Sequence, residues 1–165
     1  MSASKSRLAV AALSLSAAAF VGILTREGYT DRAVIPVPGD VPTIGFGTTA
    51  GVQMGDTTTP VKAAQRALLD AGAYEGTLKR CVTAPMHQAE YDVYVDLAYN
   101  IGPAAFCSST IVRRLNAGDY AGACDAILMW KMFNGFDCST PGNRICAGLW
   151  KDRQRSHANC KAALA

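Results

Sequence analysis

Residues Leu8 to Leu24 form an uninterrupted run without charge, L-A-V-A-A-L-S-L-S-A-A-A-F-V-G-I-L. As one helix it would measure about 26 Å, slightly short of the ~30 Å hydrocarbon core of a bilayer. Lys5 and Arg7 stand before it. Basic residues ahead of a span hold that end in the cytoplasm, so the body that follows is expected on the far side. Three readings fit. Ala17-Ala18-Ala19 offers the small-residue cleavage site of a secretory signal peptide. The run can instead remain as a permanent anchor. It can also be a weak anchor that later leaves the membrane, because its six alanines, one glycine and two serines contribute little to insertion. The apolar stretch continues past the alanines through Phe20 to Leu24, which a cleaved signal does not need. A buried helix of a soluble core is the plainest alternative, and the basic flank argues against it. The expectation is an uncleaved N-terminal apolar helix within residues 1–25, followed by a single domain over 26–165.

The cysteines bear on compartment. Cys81, Cys107, Cys124, Cys138, Cys146 and Cys160 all lie in the second half of the chain. None is spaced C-x-x-C and there are only two histidines, His87 and His157, so no metal site is expected. An even count without metal spacing favours disulfides, which need an oxidising compartment. Six buried thiols in a cytosolic protein are the alternative. Export agrees with the disulfides, and the two arguments use different residues. Of the 15 pairings that six cysteines allow, Cys138–Cys146 is suggested by the short loop between them. The net charge of +3 suits an anionic cell wall or lipid surface as well as any ordinary protein. No basic cluster of nucleic-acid type is present, so no nucleic-acid partner is expected.

Along the body, A-V-I-P and T-I-G-F-G flank V-P-G-D-V-P, which predicts a small hairpin with an irregular tip. Gly51 to Thr59 reads as a loop. Thr59 caps a helix with Pro60 at its first position, expected to stop near Ala71 at Gly72. A helix from Met86 ends at Gly102-Pro103. The next starts at Ser108-Ser109-Thr110 with Ile111, Val112 and Leu115 inward, and another is capped by Asp119. Asn134 to Asn143 reads as a loop, and a last helix carries Leu149, Trp150, Lys151, Arg153 and Arg155. The fold class is α+β, mostly α.

Only three glutamates exist. Glu90, beside Tyr91, reads as a solvated helix residue, and Glu75, before Gly76, as part of a turn. Glu27 stands where a helix ends and the hairpin begins. Apolar surroundings there would raise its carboxyl pKa and keep it protonated as a general acid. Asp40, at the wetter hairpin tip, would stay ionised, and Thr43 follows on the returning strand. One protonated and one ionised carboxyl across a cleft is what glycoside hydrolysis requires.

R-E-G-Y followed by P-T-I-G-F-G-T-T resembles the Glu…Asp…Thr signature of the phage-type lysozymes, glycoside hydrolase family 24. D-L-A-Y-N-I-G-P-A-A-F-C-S-S-T-I-V-R-R-L-N-A-G-D-Y is similar to a second block of that family, and G-L-W-K-D-R-Q-R to its closing segment. The resemblance runs from residue 26 to about 160. It implies a lysozyme-like fold that hydrolyses the β-1,4 bond between N-acetylmuramic acid and N-acetylglucosamine, with no cofactor, acting as a monomer on peptidoglycan. It implies Glu27 as general acid, and Asp40 with Thr43 as the pair that orients the attacking water. The family's aspartate stands about six residues before its threonine, where this chain has Val37. Asp40 is three before, and Asp31 is a second candidate. Asn100, in the A-Y-N-I-G block, would line the sugar cleft or serve packing.

A weak span before such a domain resembles the signal-anchor-release endolysins. That implies an enzyme tethered inactive to the host inner membrane, facing the periplasm, then soluble in the periplasm after release. Neither the span nor Glu27 to Thr43 contains a cysteine, so the six cysteines read as structural staples rather than a thiol switch. A secreted lysozyme with a cleaved signal, and a catalytically silent peptidoglycan-binding module of the same fold, are the alternatives.

Overall fold

The computed structural model describes residues 6–36 and 39–165. Lys5 of the basic flank and Val37 of the hairpin lie outside the described residues. The chain forms two compact units: Leu15–Gly76, and Thr77–Ala165 together with the residues up to Ser14.

In the Leu15–Gly76 unit, α1 covers Ala17–Glu27. Ser16 caps it, its Oγ accepting from Ala19 N at 3.2 Å, and Gly28 at φ +69° ends it. Strand β1 (Thr30–Val34) pairs antiparallel with β2 (Thr43–Gly45), Thr30 opposite Gly45 and Val34 opposite Thr43, with an irregularity between. This is the expected hairpin. Ala33, Ile44 and Val52 form its buried cluster. Gly45 has φ +65°, and a β-carbon there would lie 2.8 Å from Ala63 Cβ, so glycine is what lets the strand approach the following helix. That helix, α2, runs Pro60–Cys81, with Lys62 N donating to the Thr59 hydroxyl at 3.4 Å. The expected stop at Gly72 does not occur. A helical glycine costs only about 1 kcal/mol relative to alanine, and Ala71 before it and Leu78 after it are both buried.

The other unit is helical: α3 (Gln88–Ile101), α4 (Pro103–Cys107), α5 (Thr110–Asn116), α6 (Tyr120–Ala126) and α7 (Ala147–Ala163). Ser109 and Asp119 cap α5 and α6 through bonds to Val112 N and Gly122 N. Tyr91, Tyr94, Leu97, Phe106, Ile111, Leu115 and Ile127 fill the core. Residues 134–143, expected as a loop, contain half of a short hairpin, β3 (Met132–Phe133) with β4 (Phe136–Asp137). Asn134 and Gly135 supply the two positive φ values of its turn. Three disulfides close within this unit, Cys81–Cys107, Cys124–Cys160 and Cys138–Cys146. The last is the pair that spacing suggested.

The apolar run is not one helix. Val10–Ala12 forms a single 3-10 turn, Leu13 is extended (φ −92°, ψ 154°), and α1 begins only at Ala17. At 1.5 Å per residue α1 is about 16 Å long, and among the described residues no helix is long and apolar enough to cross a membrane. The break persists because its backbone groups find side-chain partners. Ser14 O accepts from Gln88 Nε2, and Leu15 N donates to Glu75 Oε1, both at 2.7 Å. Two glutamates therefore differ from their sequence readings. Glu75 lies inside α2 and receives the Leu15 amide. Glu90 is fully buried, where Arg7 reaches it. Both hold parts of the amino-terminal segment, which local sequence around them does not reveal.

Candidate active site

Glu27 is the last residue of α1 and is exposed. The expectation that the apolar residues before it would bury its carboxyl is not met, because the helix turns its apolar side inward at Ile23 and ends with Glu27 facing solvent. Its side chain is nonetheless confined on one side. Gly47 has φ +84°, and a β-carbon there would stand 3.0 Å from Glu27 Oε2. The carboxylate thus lies against bare backbone just past β2.

Thr43 opens β2 and is half-buried. Its hydroxyl donates to Val41 O at 3.2 Å, which leaves the oxygen's lone pairs able to accept a hydrogen bond from water. Asp40 is exposed, and its Oδ1 accepts from Val41 N at 2.8 Å. That short local bond orients the aspartate at the hairpin tip. Asp31 lies exposed on β1, and the bond the strand makes there is from its backbone carbonyl, which accepts from Thr58 N.

Three residues that sequence reasoning passed over surround this region of the Leu15–Gly76 unit. Thr48 is buried and donates to Asp70 Oδ2 at 2.7 Å. Tyr74 lies one turn further along α2. Burial raises its phenol above the ordinary value, and the negative charges of Asp70 and Glu27 add to the effect. Glu27 and α2 are therefore electrostatic neighbours. The i, i+4 spacing of Asp70 and Tyr74 was visible, but nothing local marks a helix face as the one that meets a site.

Asn100 stands near the end of α3 in the other unit. Arg153, only 2% exposed, donates from Nη2 to Asn100 Oδ1 at 2.5 Å and from Nε to Trp130 O at 3.0 Å. Burial draws that guanidinium's pKa below its usual value, and Asp152 opposes the shift. Arg153, one of the basic residues expected on the last helix, is a buried bracket joining α3, α7 and the segment before β3. Among the described residues no group of His, Cys, Asp and Glu could hold a metal ion.

With this geometry in hand, comparison with known proteins is specific. The family model described as phage lysozyme matches residues 25–156. A SAR-endolysin of Pseudomonas phage phiKMV is 36% identical over 114 residues, spanning 69% of this chain and 70% of that protein. An endolysin of Acyrthosiphon pisum secondary endosymbiont phage 1 is 32% identical over 121 residues, 73% of this chain and 80% of that one. Among solved structures, the muramidase domain of SpmX from Asticaccaulis excentricus superposes with a TM-score of 0.77 at 26% identity, covering 90% of this chain and 97% of that one.

Proposed function

This chain belongs to the phage lysozyme family, and we propose that Glu27, Asp40 and Thr43 carry its catalysis and that its apolar run tethers it before release. The protein is a glycoside hydrolase, an endolysin that degrades peptidoglycan. In the proposed mechanism Glu27 protonates the oxygen leaving N-acetylmuramic acid at the β-1,4 bond to N-acetylglucosamine. Asp40 draws one proton from the attacking water, and the Thr43 oxygen, its own proton engaged by Val41 O, accepts a hydrogen bond from the O–H that the water keeps, which orients it. Arg153 occupies the carbonyl side of Asn100, so a sugar contact there falls to the Asn100 amide nitrogen.

One observation carries the reading. Glu27 ends α1, and α1 is the second part of the uncharged run, whose first part belongs to the other compact unit. In a bilayer the run must satisfy its backbone internally, as a continuous helix. In the folded enzyme it is broken, and its pieces are divided between the two units. One segment cannot do both, so residues 1–25 inserted in the inner membrane leave the 26–165 portion without most of α1, the helix that carries Glu27, and the enzyme silent. Release into the periplasm supplies the missing pieces. The enzyme then acts as a monomer on the cell wall.

Clearing of a purified peptidoglycan suspension tests the catalytic part. Glu27→Gln is expected to lower the rate by 100-fold or more, the usual worth of a general acid. Unchanged clearing refutes the assignment. Membrane-fractionated protein tests the tether: its mass should be that of the whole chain, and loss of roughly 19 residues, as a signal peptidase would remove, sinks the release reading in favour of simple secretion.

A further inference from the structure

Glu90 is 0% exposed, a carboxylate sealed in a helical unit at the first turn of α3. Its main partner comes from 83 residues away. Arg7 donates from Nε to Oε2 at 3.2 Å and from Nη2 to Oε1 at 3.4 Å, a two-pronged contact, while His87 N donates to Oε2 at 2.8 Å. The Arg7 guanidinium also lies 3.7 Å above the Tyr120 ring, whose hydroxyl donates to Pro85 O at 2.8 Å. Next to it, Leu8 and Met86 exchange two backbone bonds of 2.9 Å. Residues 7 to 14 thus form a strap over the 85–92 stretch. Tyr94, beneath it, registers both charges: burial and then Glu90 push its phenol up, and Arg7 pulls it down.

Arg7 is also the last basic residue before the apolar run. While that run spans the bilayer, Arg7 is on the cytoplasmic side and Glu90 on the other, separated by the length of the span. A potential of 100 mV holds one such charge in place by a factor of roughly 50. We propose that the Arg7–Glu90 contact is the latch of activation: it closes only when the entire run, Arg7 included, has left the bilayer, so partial extraction leaves α3 unsealed and the enzyme off. This rests on the tether reading above. The physical reason is that a buried carboxylate stripped of its cation is strongly destabilised, whereas a completed fork is not.

The test uses the full chain in bacterial cells, fractionated before and after a protonophore collapses the membrane potential. Wild type should move from membrane to soluble fraction and become lytic. If it never sits in the membrane fraction, the tether reading fails and the latch with it. Arg7→Gln, with Lys5 still ahead of the run, should be held and released as wild type. The released variant should clear peptidoglycan at least tenfold more slowly, with amide exchange at residues 87–92 about 100-fold faster, the scale expected for breaking a buried pair. Wild-type clearing and wild-type protection in that variant overturn the latch alone. Should Arg7→Gln fail to fold, the double variant Arg7→Gln with Glu90→Gln, which removes both charges, is expected to restore folding and most activity. An equal loss in single and double variants overturns the proposal, since an unpaired carboxylate could not then be the cause.

Discussion

Gly47→Ala isolates how the hairpin positions Glu27. The new β-carbon would lie 3.0 Å from Glu27 Oε2, 3.5 Å from Cδ and 3.7 Å from Cγ. Ordinary carbon–oxygen contact lies nearer 3.5 Å, so the carboxylate must retreat by about half an ångström. A displacement of ~1 Å at a reacting group can cost 100-fold, which places the expected loss of clearing rate at about tenfold. The substitution also forces alanine into φ +84°, a strain of roughly 1–2 kcal/mol. Gly118→Ala provides the control. It sits at φ +78° with nothing within 4 Å of its added carbon, so it should show the same stability loss without an activity loss. Both variants are compared by urea unfolding and by peptidoglycan clearing at equal folded concentration. If Gly47→Ala clears as fast as Gly118→Ala, the backbone wall at Gly47 does not set the position of Glu27.

Other outcomes follow from single contacts. Opening the Cys124–Cys160 bridge with paired serines, which frees a loop of separation 36, should cost about 4 kcal/mol, against about 2.5 for Cys138–Cys146 with separation 8; urea midpoints in non-reducing buffer check the order. Arg153→Lys removes the fork that serves Asn100 and Trp130 and should destabilise by about 2 kcal/mol, read by thermal unfolding. Thr48→Val breaks the bond to Asp70 at an expected cost of about 1–3 kcal/mol, with slower clearing if Asp70 and Tyr74 support Glu27. Asp137 is held down to about 2 by hydrogen bonds from Lys131 and then Ser139. Its folded pKa lies below the unfolded value near 3.9, so its contribution is present above about pH 4 and fades as pH falls toward 2. A carboxyl NMR titration that places Asp137 near 4 contradicts this.

Much of the fold is legible in the sequence because it rests on local chemistry. Thr59-Pro60, Ser109, Asp119 and Gly102-Pro103 mark helix ends through bonds to their immediate neighbours, and these ends stand where expected. The β1–β2 hairpin is visible for the same reason. Gly72 misleads because its local penalty is small against burial on either side of it. The 132–137 hairpin hides because two-residue strands carry no periodicity.

By itself, the sequence determines that an uncharged run precedes a lysozyme-like body, that Glu27 stands at their junction, and that the cysteines suit an oxidising compartment. These follow from composition, order and motif. Tertiary structure alone decides that the run breaks at Leu13–Ser16, that Glu75 receives the run and Glu90 the arginine before it, and that Arg153 is buried. Each depends on partners 50 or more residues away, 60 for Leu15 with Glu75, 83 for Arg7 with Glu90 and 53 for Asn100 with Arg153. A charged side chain reads as solvated until a distant donor or acceptor makes its burial affordable, and that donor is chosen by the packed fold and not by its neighbours in the chain.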